Sequence, residues 1–286
     1  MSLEYWYMFP VATVIAMIAM ASGVGGATFF APIFLLWLKL PIEIAVGTGL
    51  ITEVFGFSSG VVAYMRKKLI DYKLATTMLV VSVPMAIVGV VVAKYFDPNT
   101  LKVILAMGLL AIAFSLLRSP GHEEVESADK SIEQDAASGS ERCIVDANGQ
   151  KFCYTVCDKR VGMLVAAVGG LFTGAISTGL GELNSYFLLQ RCKVPSKVAV
   201  ATSVFAVAGT ALSAATGHLF GFFQSGPEAL SEVTKIVTFT VPGVIIGGQL
   251  GPLLSSRVSQ KTLERALGGL FILVAMLMLG QQLSFG

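Results

Sequence analysis

Residues 5–38 read YWYMFPVATVIAMIAMASGVGGATFFAPIFLLWL and contain no charged side chain. A single α-helix of this length would extend about 50 Å, whereas the hydrocarbon core of a bilayer is about 30 Å thick. The run is also interrupted by the glycine-rich stretch Ser22-Gly23-Val24-Gly25-Gly26. This pattern predicts two half-helices joined at a glycine break, either as a broken membrane helix or as a re-entrant hairpin.

The rest of the chain has the composition of a membrane protein. It has 55% hydrophobic and only 13% charged residues, whereas soluble domains carry about 25% charged residues. Apolar segments recur along the chain, at residues 5–38, 42–64, 74–93, 101–117, 161–190, 196–217, 236–254 and 266–283. These features predict an all-α integral membrane protein in a lipid bilayer, and nothing in them points to a nucleic-acid partner or a cofactor.

The eight segments form two similar groups of four. Ser22-Gly23-Val24-Gly25-Gly26 matches Thr178-Gly179-Leu180-Gly181-Glu182, and the segment that begins at Pro41 matches the one that begins at Pro195. Further along, Val83-Pro84 with Gly89 matches Val241-Pro242 with Gly247. We therefore expect an internal repeat with three regions: a first transmembrane repeat at 1–118, a polar central loop at 119–160 and a second transmembrane repeat at 161–286.

Loop charges predict that the two repeats are inverted. If each glycine-broken segment makes no net crossing, each repeat has three transmembrane helices, and the second copy must enter the membrane in the opposite sense. This arrangement places 16 of the 20 basic residues on one side. Because basic loops stay in the cytoplasm, we expect a cytoplasmic central loop and external termini in the plasma membrane of a prokaryote.

The central loop carries both acidic residues and cysteines. Asn148-Gly149, flanked by two apolar stretches, predicts a small β-hairpin in its second half. Reduced cytoplasmic thiols are the expectation for the chain's four cysteines. Their spacing is not a standard zinc signature, so no metal site is expected, and the cysteines are only weak candidates as metal ligands: Cys143, Cys153, Cys157 and Cys192.

Two carboxyl groups, Glu53 and Glu182, are the only formally charged side chains well inside the apolar segments. A charge inside a membrane costs several kcal/mol unless it is paired, protonated or hydrated, so such a residue usually has a function. Both glutamates are candidates for proton coupling, and the alternative is a protonated carboxyl that bridges helices. Glu182 is the stronger candidate because it lies within a glycine break.

The absence of deep lysine or arginine predicts that an anion would be held by neutral donors. Half-helix N-termini, hydroxyls and side-chain amides supply such donors. The expected substrate-binding residues lie at the two breaks and at the start of the helix that follows each break: Gly23, Gly25, Gly26, Thr48, Gly179, Gly181, Asn184, Ser185, Thr202 and Ser203. Close helix packing is the alternative role for the glycines, and bonding to their own helix is the alternative for the hydroxyls.

These motifs resemble a known family. Ser22-Gly23-Val24-Gly25-Gly26 with Pro32, followed by Ala45-Val46-Gly47-Thr48, is similar to the TauE/SafE family of sulfite-exporter-like membrane proteins. Ala199-Val200-Ala201-Thr202-Ser203 resembles the repeated element of that family. The resemblance covers both hydrophobic halves and implies transport of small sulfur-containing anions such as sulfite, thiosulfate or organosulfonates.

The sequence thus predicts a secondary transporter of small anions that works by alternating access at a midplane site, coupled to protons. It predicts no enzymatic activity, although the fold could bring Glu53 and Glu182 together. Two alternatives remain at this point. One is an anion channel that uses the same donors, and the other is a membrane sensor or scaffold that acts through the cysteine-containing loop.

Overall fold

The computed structural model describes residues 4–22, 25–118, 142–154, 158–179, 181, 183–184, 187–255 and 260–285. In this part the chain is almost entirely helical, and its helices are α1 Met8–Ser22, α2 Ala27–Leu36, α3 Ile42–Arg66, α4 Tyr72–Ala93, α5 Pro98–Leu117, α6 Lys159–Ile176, the π-helix Phe187–Arg191, α7 Ser196–Ser225, α8 Pro227–Ser255 and α9 Gln260–Phe285.

Among the described residues, six helices are long and apolar enough to cross a membrane. They are α3, α4, α5, α6, α7 and residues 227–250 of α8. The shorter apolar stretches are Met8–Met20, Ala27–Leu36 and Arg265–Gln281. The prediction is therefore confirmed to this extent: the described part of the chain is mostly helical and contains six candidate membrane spans.

The long apolar segment of each half is divided into two helical pieces. In the first half α1 ends at Ser22 and α2 begins at Ala27. In the second half α6 ends at Ile176, and the chain turns through Gly179, whose φ of 116° is a left-handed conformation that favours glycine. The π-helix follows this turn.

The principal helix contacts join the first half of the chain to the second. Helix α1 packs on α8, α4 on α6 and α7, α3 on α7 and α8, and α5 on α9. Glycines allow the closest of these contacts, because a side chain would separate the two backbones. A methyl group added at Gly174 of α6 would lie 2.0 Å from the Ala86 carbonyl oxygen of α4, and one added at Gly247 of α8 would lie 2.2 Å from the Thr13 oxygen of α1.

Two buried hydroxyl pairs also connect the halves. Thr52 of α3 and Thr240 of α8 have their Oγ1 atoms 2.9 Å apart. Ser82 of α4 and Thr210 of α7 have their hydroxyl oxygens 2.6 Å apart. Ser82 and Thr240 each stand two residues before the matched prolines, so the repeated sequence element makes the same kind of contact twice.

A β-hairpin lies against one end of the helices. Strands β1 (Arg142–Val145) and β2 (Lys151–Tyr154) pair antiparallel, and the turn between them contains Asn148-Gly149. Phe152 and Tyr154 are buried in a cluster that includes Leu69 and Phe187. The Ala147 N–H also donates to the Lys67 carbonyl oxygen at 3.0 Å, so the hairpin is attached to the loop between α3 and α4.

The cysteines differ from the expectation of reduced thiols. Cys143 and Cys153 form a disulfide across the hairpin, and Cys192 is also disulfide-bonded. The expectation is therefore wrong for these three residues. For Cys143 and Cys153 the reason is strand pairing, because facing positions of an antiparallel pair bring two sulfur atoms within bonding distance. Sulfur in a disulfide is not a thiolate, so these three weak candidates do not ligate metal in this state. Cys157 lies outside the described residues.

Candidate functional site at the two helix breaks

The glycine breaks of the two halves meet inside the molecule. The Thr28 and Thr178 hydroxyl oxygens lie 2.9 Å apart, although the residues are 150 positions apart in sequence. Both side chains are buried. A methyl group added at Gly181 would lie 3.9 Å from the Gly25 nitrogen. The two breaks therefore form one buried region with backbone from both halves.

The helices that follow the breaks pack against this region. On α3, a methyl group added at Gly49 would lie 3.5 Å from the Ala31 nitrogen of α2. On α7, the Ser203 hydroxyl donates to the Gly181 carbonyl oxygen at 3.4 Å. Gly49 and Ser203 occupy matched positions of the repeated sequence. The small residue at each position brings the helix close to the break beside it.

Three buried side chains near the breaks have polar atoms with no hydrogen-bond partner among the described protein atoms. They are the Thr48 hydroxyl, the Ser177 hydroxyl and both polar atoms of Asn184. A buried polar group left in this state costs about 1–3 kcal/mol. Native proteins rarely carry this cost without a reason, so these groups are the leading candidates to hydrogen-bond a small polar ligand.

The carboxyl group of Glu53, a residue of α3, lies at the N-terminus of α2. Its side chain is only 4% exposed, and its Oε1 atom accepts a hydrogen bond from the Ala27 N–H at 3.1 Å. A carboxylate at this position is stabilised by the partial positive charge of the helix N-terminus. We expected this amide to be open to a substrate anion. In this structure it is bonded to the protein's own carboxyl group instead.

Thr202, another expected site residue, makes a hydrogen bond to the loop before α4. Its Oγ1 accepts a hydrogen bond from the Asp71 N–H at 3.0 Å, which ties the start of α7 to the loop before α4. Among the other expected residues, Gly23, Glu182 and Ser185 lie outside the described part of the chain. The role of every expected site residue in substrate binding stays a prediction.

The comparison with known protein families identifies the chain's relatives. A family model described as "Sulfite exporter TauE/SafE" matches residues 8–278. The chain belongs to the TauE/SafE family. This match spans both hydrophobic halves, so the resemblance inferred from the glycine motifs is confirmed, and the chain is a membrane transporter.

Two curated relatives of this TauE/SafE member come from Bacillus subtilis (strain 168). The probable membrane transporter protein YunE is 27% identical over 259 residues, which cover 88% of this chain and 89% of the relative. The probable membrane transporter protein YjnA is 24% identical over 245 residues, or 84% of this chain and 87% of the relative. The family and both relatives are named as an exporter or transporters, not as enzymes. No solved structure matches the chain.

Two buried polar residues of this TauE/SafE member were missed by sequence reasoning. Ser177 directly precedes the second glycine motif, and its left-handed backbone conformation at the end of α6 marks the break. His218 of α7 is buried with its Nε2 atom 2.9 Å from the Gly174 carbonyl oxygen. It lies one residue beyond the predicted apolar segment 196–217. Only the adjacency of Ser177 to the motif could have been noticed in advance.

Proposed function

We propose that this chain is a secondary transporter of small sulfur-containing anions, such as sulfite, thiosulfate or an organosulfonate. The observations that carry the proposal are the meeting of the two glycine breaks and the buried polar groups of Thr48 and Asn184, which have no hydrogen-bond partner among the described residues. The description of the family as sulfite exporters supports the substrate class.

The two halves, residues 1–118 and 161–286, act as inverted repeats in this proposal. The exchange of helix partners supports it: α1 packs on the fourth helix of the second half, and α6 packs on the fourth helix of the first. Each glycine-broken segment enters the membrane and is re-entrant, and rocking of one half against the other opens the site alternately to the two sides.

The anion is held by neutral donors. Hydroxyl and amide groups are suited to this task because they carry no full positive charge, so they bind an anion weakly enough for it to be released. Half-helix N-termini add a favourable dipole. Thr48, Asn184 and the backbone around Gly25 and Gly181 form the described part of the site, and Ser203 fixes its second half through the bond to Gly181.

A matched pair of threonine substitutions tests the site. Thr48→Val and Thr210→Val both remove a fully buried hydroxyl. The Thr210 hydroxyl is paired with Ser82 and Ala206, so its loss should destabilise the protein by about 1 kcal/mol and leave anion affinity unchanged. The Thr48 hydroxyl has no partner in the described part of the chain, so Thr48→Val should leave thermal stability unchanged or higher and weaken anion binding about tenfold. The opposite pattern in the two variants would remove Thr48 from the site.

The orientation follows from the basic residues. With 16 of 20 on one side, the hairpin and central loop face the cytoplasm and both termini lie outside. The Cys143–Cys153 disulfide argues the other way, because disulfides are rare in the cytosol. The charge bias decides the orientation, since cytosolic disulfides do occur where they exchange or sense redox state.

Single-cysteine labelling tests this orientation. In a background without native cysteines, Asn148→Cys at the hairpin turn should react with an impermeant maleimide only after the cells are permeabilised. Tyr95→Cys, at an 85% exposed position between α4 and α5, should react in intact cells. Labelling of Asn148→Cys but not Tyr95→Cys from outside would reverse the proposed topology.

Proton coupling completes the proposal and assigns roles to Glu53 and Glu182. The carboxyl group of Glu53 accepts the hydrogen bond of the first N–H of α2, where an anion would otherwise bind. An ionised Glu53 and the substrate therefore compete for one donor. Proton uptake removes the charge of the carboxyl group and favours the anion. Glu182 has the equivalent role at the second break.

A ligand screen with purified protein tests the function as a whole. Sulfite, thiosulfate, sulfoacetate, sulfate and acetate would be compared by thermal shift, and the ligands that bind would then be tested for counterflow in proteoliposomes. A ligand at 100 times its dissociation constant should add about 2.7 kcal/mol of stability. Large single-channel currents without saturable counterflow would instead indicate a channel, and no stabilisation by any sulfur anion would contradict the proposed substrate class.

A further inference from the structure

Asp71 connects the hairpin to the membrane helices. Its side chain is buried at the N-terminus of α4, where Oδ1 accepts a hydrogen bond from the Leu74 N–H at 3.0 Å. Its Oδ2 accepts from the Tyr154 hydroxyl at 2.5 Å and from Arg142 Nη1 at 2.6 Å. Arg142 belongs to β1 and Tyr154 to β2, so one carboxylate holds both strands.

This carboxylate is ionised at neutral pH. Burial alone would raise the pKa of Asp71, but hydrogen bonds from Tyr154, the Leu74 amide and Arg142 outweigh burial and lower the pKa below its ordinary value. Because the pKa is lowered in the docked state, the docking energy is complete above the ordinary carboxyl pKa. It is lost only as the pH falls through the lowered pKa. Docking is therefore complete at neutral pH.

A path of contacts leads from Asp71 to the helix breaks. The Asp71 N–H donates to the Thr202 hydroxyl oxygen at 3.0 Å, at the start of α7. The next residue, Ser203, donates to the Gly181 carbonyl oxygen at 3.4 Å, and Gly181 adjoins Gly25. The docked hairpin thus braces the end of α7 that contacts the candidate site.

The Cys143–Cys153 disulfide joins the two strands directly beside these contacts. Cys143 follows Arg142 and Cys153 precedes Tyr154, so the bridge fixes the spacing of both donors to Asp71. Cys143 is exposed and Cys153 is half-buried. Cys143 is therefore the half of the bridge that is more open to a nucleophile from solution.

A basic side chain stands on the same face of the hairpin as the bridge. Lys151 is exposed two residues before Cys153 on β2, and alternate side chains of a strand share a face. Positive charge raises the local concentration of anions, and it also stabilises a thiolate as a leaving group.

We propose that the Cys143–Cys153 disulfide is an exchange site for small anionic sulfur nucleophiles, either thiolates or sulfite, and that opening it releases the hairpin from Asp71. The release frees the start of α7 and raises the rate of transport. This last effect rests on the proposed function, whereas the exchange and the release do not. Since sulfite belongs to the proposed substrate class, the cargo itself would open the bridge.

The exchange step is balanced without any other reagent. The sulfur of the nucleophile bonds to Sγ of Cys143 as the Sγ–Sγ bond breaks, and the bonding electron pair leaves with Sγ of Cys153 as a thiolate. With sulfite, Cys143 becomes an S-sulfonate. With a thiolate, it becomes a mixed disulfide, which a second thiolate reduces to the free thiol.

Hydrogen exchange on the purified full-length protein tests the release. After treatment with sulfite or glutathione, mass spectrometry should find the adduct on Cys143, and the amides of Asp71 and Ala147 should exchange about tenfold faster. The entropy of the loop closed by the bridge, ten positions in sequence, sets a ceiling on the order of 100-fold. An adduct on Cys143 without faster exchange would overturn the release, and no adduct under conditions that open an exposed model disulfide would overturn the exchange site.

Two variants separate this bridge from the disulfide of Cys192. Cys143→Ser with Cys153→Ser should show fast amide exchange without any reagent and no further response to it. A continued response would assign the effect to Cys192 and overturn the proposal. Tyr154→Phe removes one hydrogen bond to Asp71 and keeps the bridge, so it should exchange at an intermediate rate and still respond to sulfite. If Tyr154→Phe exchanged like the wild type, Asp71 would not be the docking point.

Counterflow in proteoliposomes tests the effect on transport. Treatment with sulfite or glutathione should raise the counterflow rate of the wild type severalfold. The same treatment should leave the counterflow rate of the variant with Cys143→Ser and Cys153→Ser unchanged. Faster amide exchange with an unchanged counterflow rate would overturn the link to transport. If no sulfur anion is transported by any variant, the proposed function is wrong. The adduct and hydrogen-exchange measurements would still test the exchange site and the release of the hairpin.

Discussion

Gly174→Ala should destabilise this protein by roughly 3 kcal/mol, although alanine is the better helix former. The added methyl group would lie 2.0 Å from the Ala86 carbonyl oxygen, and this contact is with backbone, so no side chain can rotate away to relieve it. Helices α4 and α6 would have to separate along their whole contact. We expect a large drop in the unfolding temperature of the detergent-solubilised protein, or loss of the folded protein from membranes.

Gly269→Ala is the matched control. It makes the same chemical change in α9, at an exposed position where no atom lies within 4 Å of the added methyl group. It should stabilise the protein by up to about 1 kcal/mol through helix propensity alone. The two substitutions should therefore have opposite signs. Equal effects would mean that α4 and α6 do not approach as closely as described.

Glu53→Gln should abolish proton-driven accumulation of the anion while anion binding persists. Glutamine keeps an oxygen that accepts the Ala27 N–H, so the N-terminus of α2 stays capped, but it carries no charge at any pH. In the wild type, anion affinity should fall as the pH rises and the carboxyl group loses its proton. Two unit negative charges about 4 Å apart, at an effective dielectric constant of 20, repel each other by about 4 kcal/mol. An ionised Glu53 would therefore weaken anion affinity by roughly a thousandfold at most.

The measurements are anion affinity from acid to alkaline pH and uptake driven by a pH gradient. Glu53→Gln should bind the anion with an affinity that no longer depends on pH. Glu43→Gln, an exposed change in the first turn of the same helix, should behave like the wild type. Glu182→Gln is the parallel variant for the second break. A pH dependence of Glu53→Gln that equals that of the wild type would exclude Glu53 from coupling.

Hydropathy predicted the membrane helices because each one must satisfy its backbone within itself and present apolar side chains to lipid. The apolar runs 42–64, 74–93 and 101–117 correspond closely to α3, α4 and α5. The glycine motifs located the interruption between α1 and α2 and the one near Gly179 for a related reason. A run that is too long and too rich in glycine does not continue as one helix.

Individual tertiary contacts were beyond the reach of sequence patterns. The bond between Glu53 and the first amide of α2 joins residues 26 positions apart, and it depends on how α3 packs beside the break. The disulfide between Cys143 and Cys153 depends on strand register: one residue of slippage would have turned the two sulfur atoms to opposite faces of the hairpin. The cytoplasmic location predicted from the loop charges favoured reduced thiols, and loop charges carry no information about register.

The exchange of helix partners has a consequence for how the chain is made. Helices α1 and α4 find their main partners in α8, α6 and α7, which the ribosome synthesises only after the central loop. During translation the helices of the first half are therefore made before their partners. Until those partners are made, the glycine-lined surfaces of the first half face lipid or the insertion machinery. Helix α5 likewise meets its main partner only after α9 has been made. A nascent chain that stops after residue 118 would have inserted helices but no packed core, which makes it a natural target for membrane quality control.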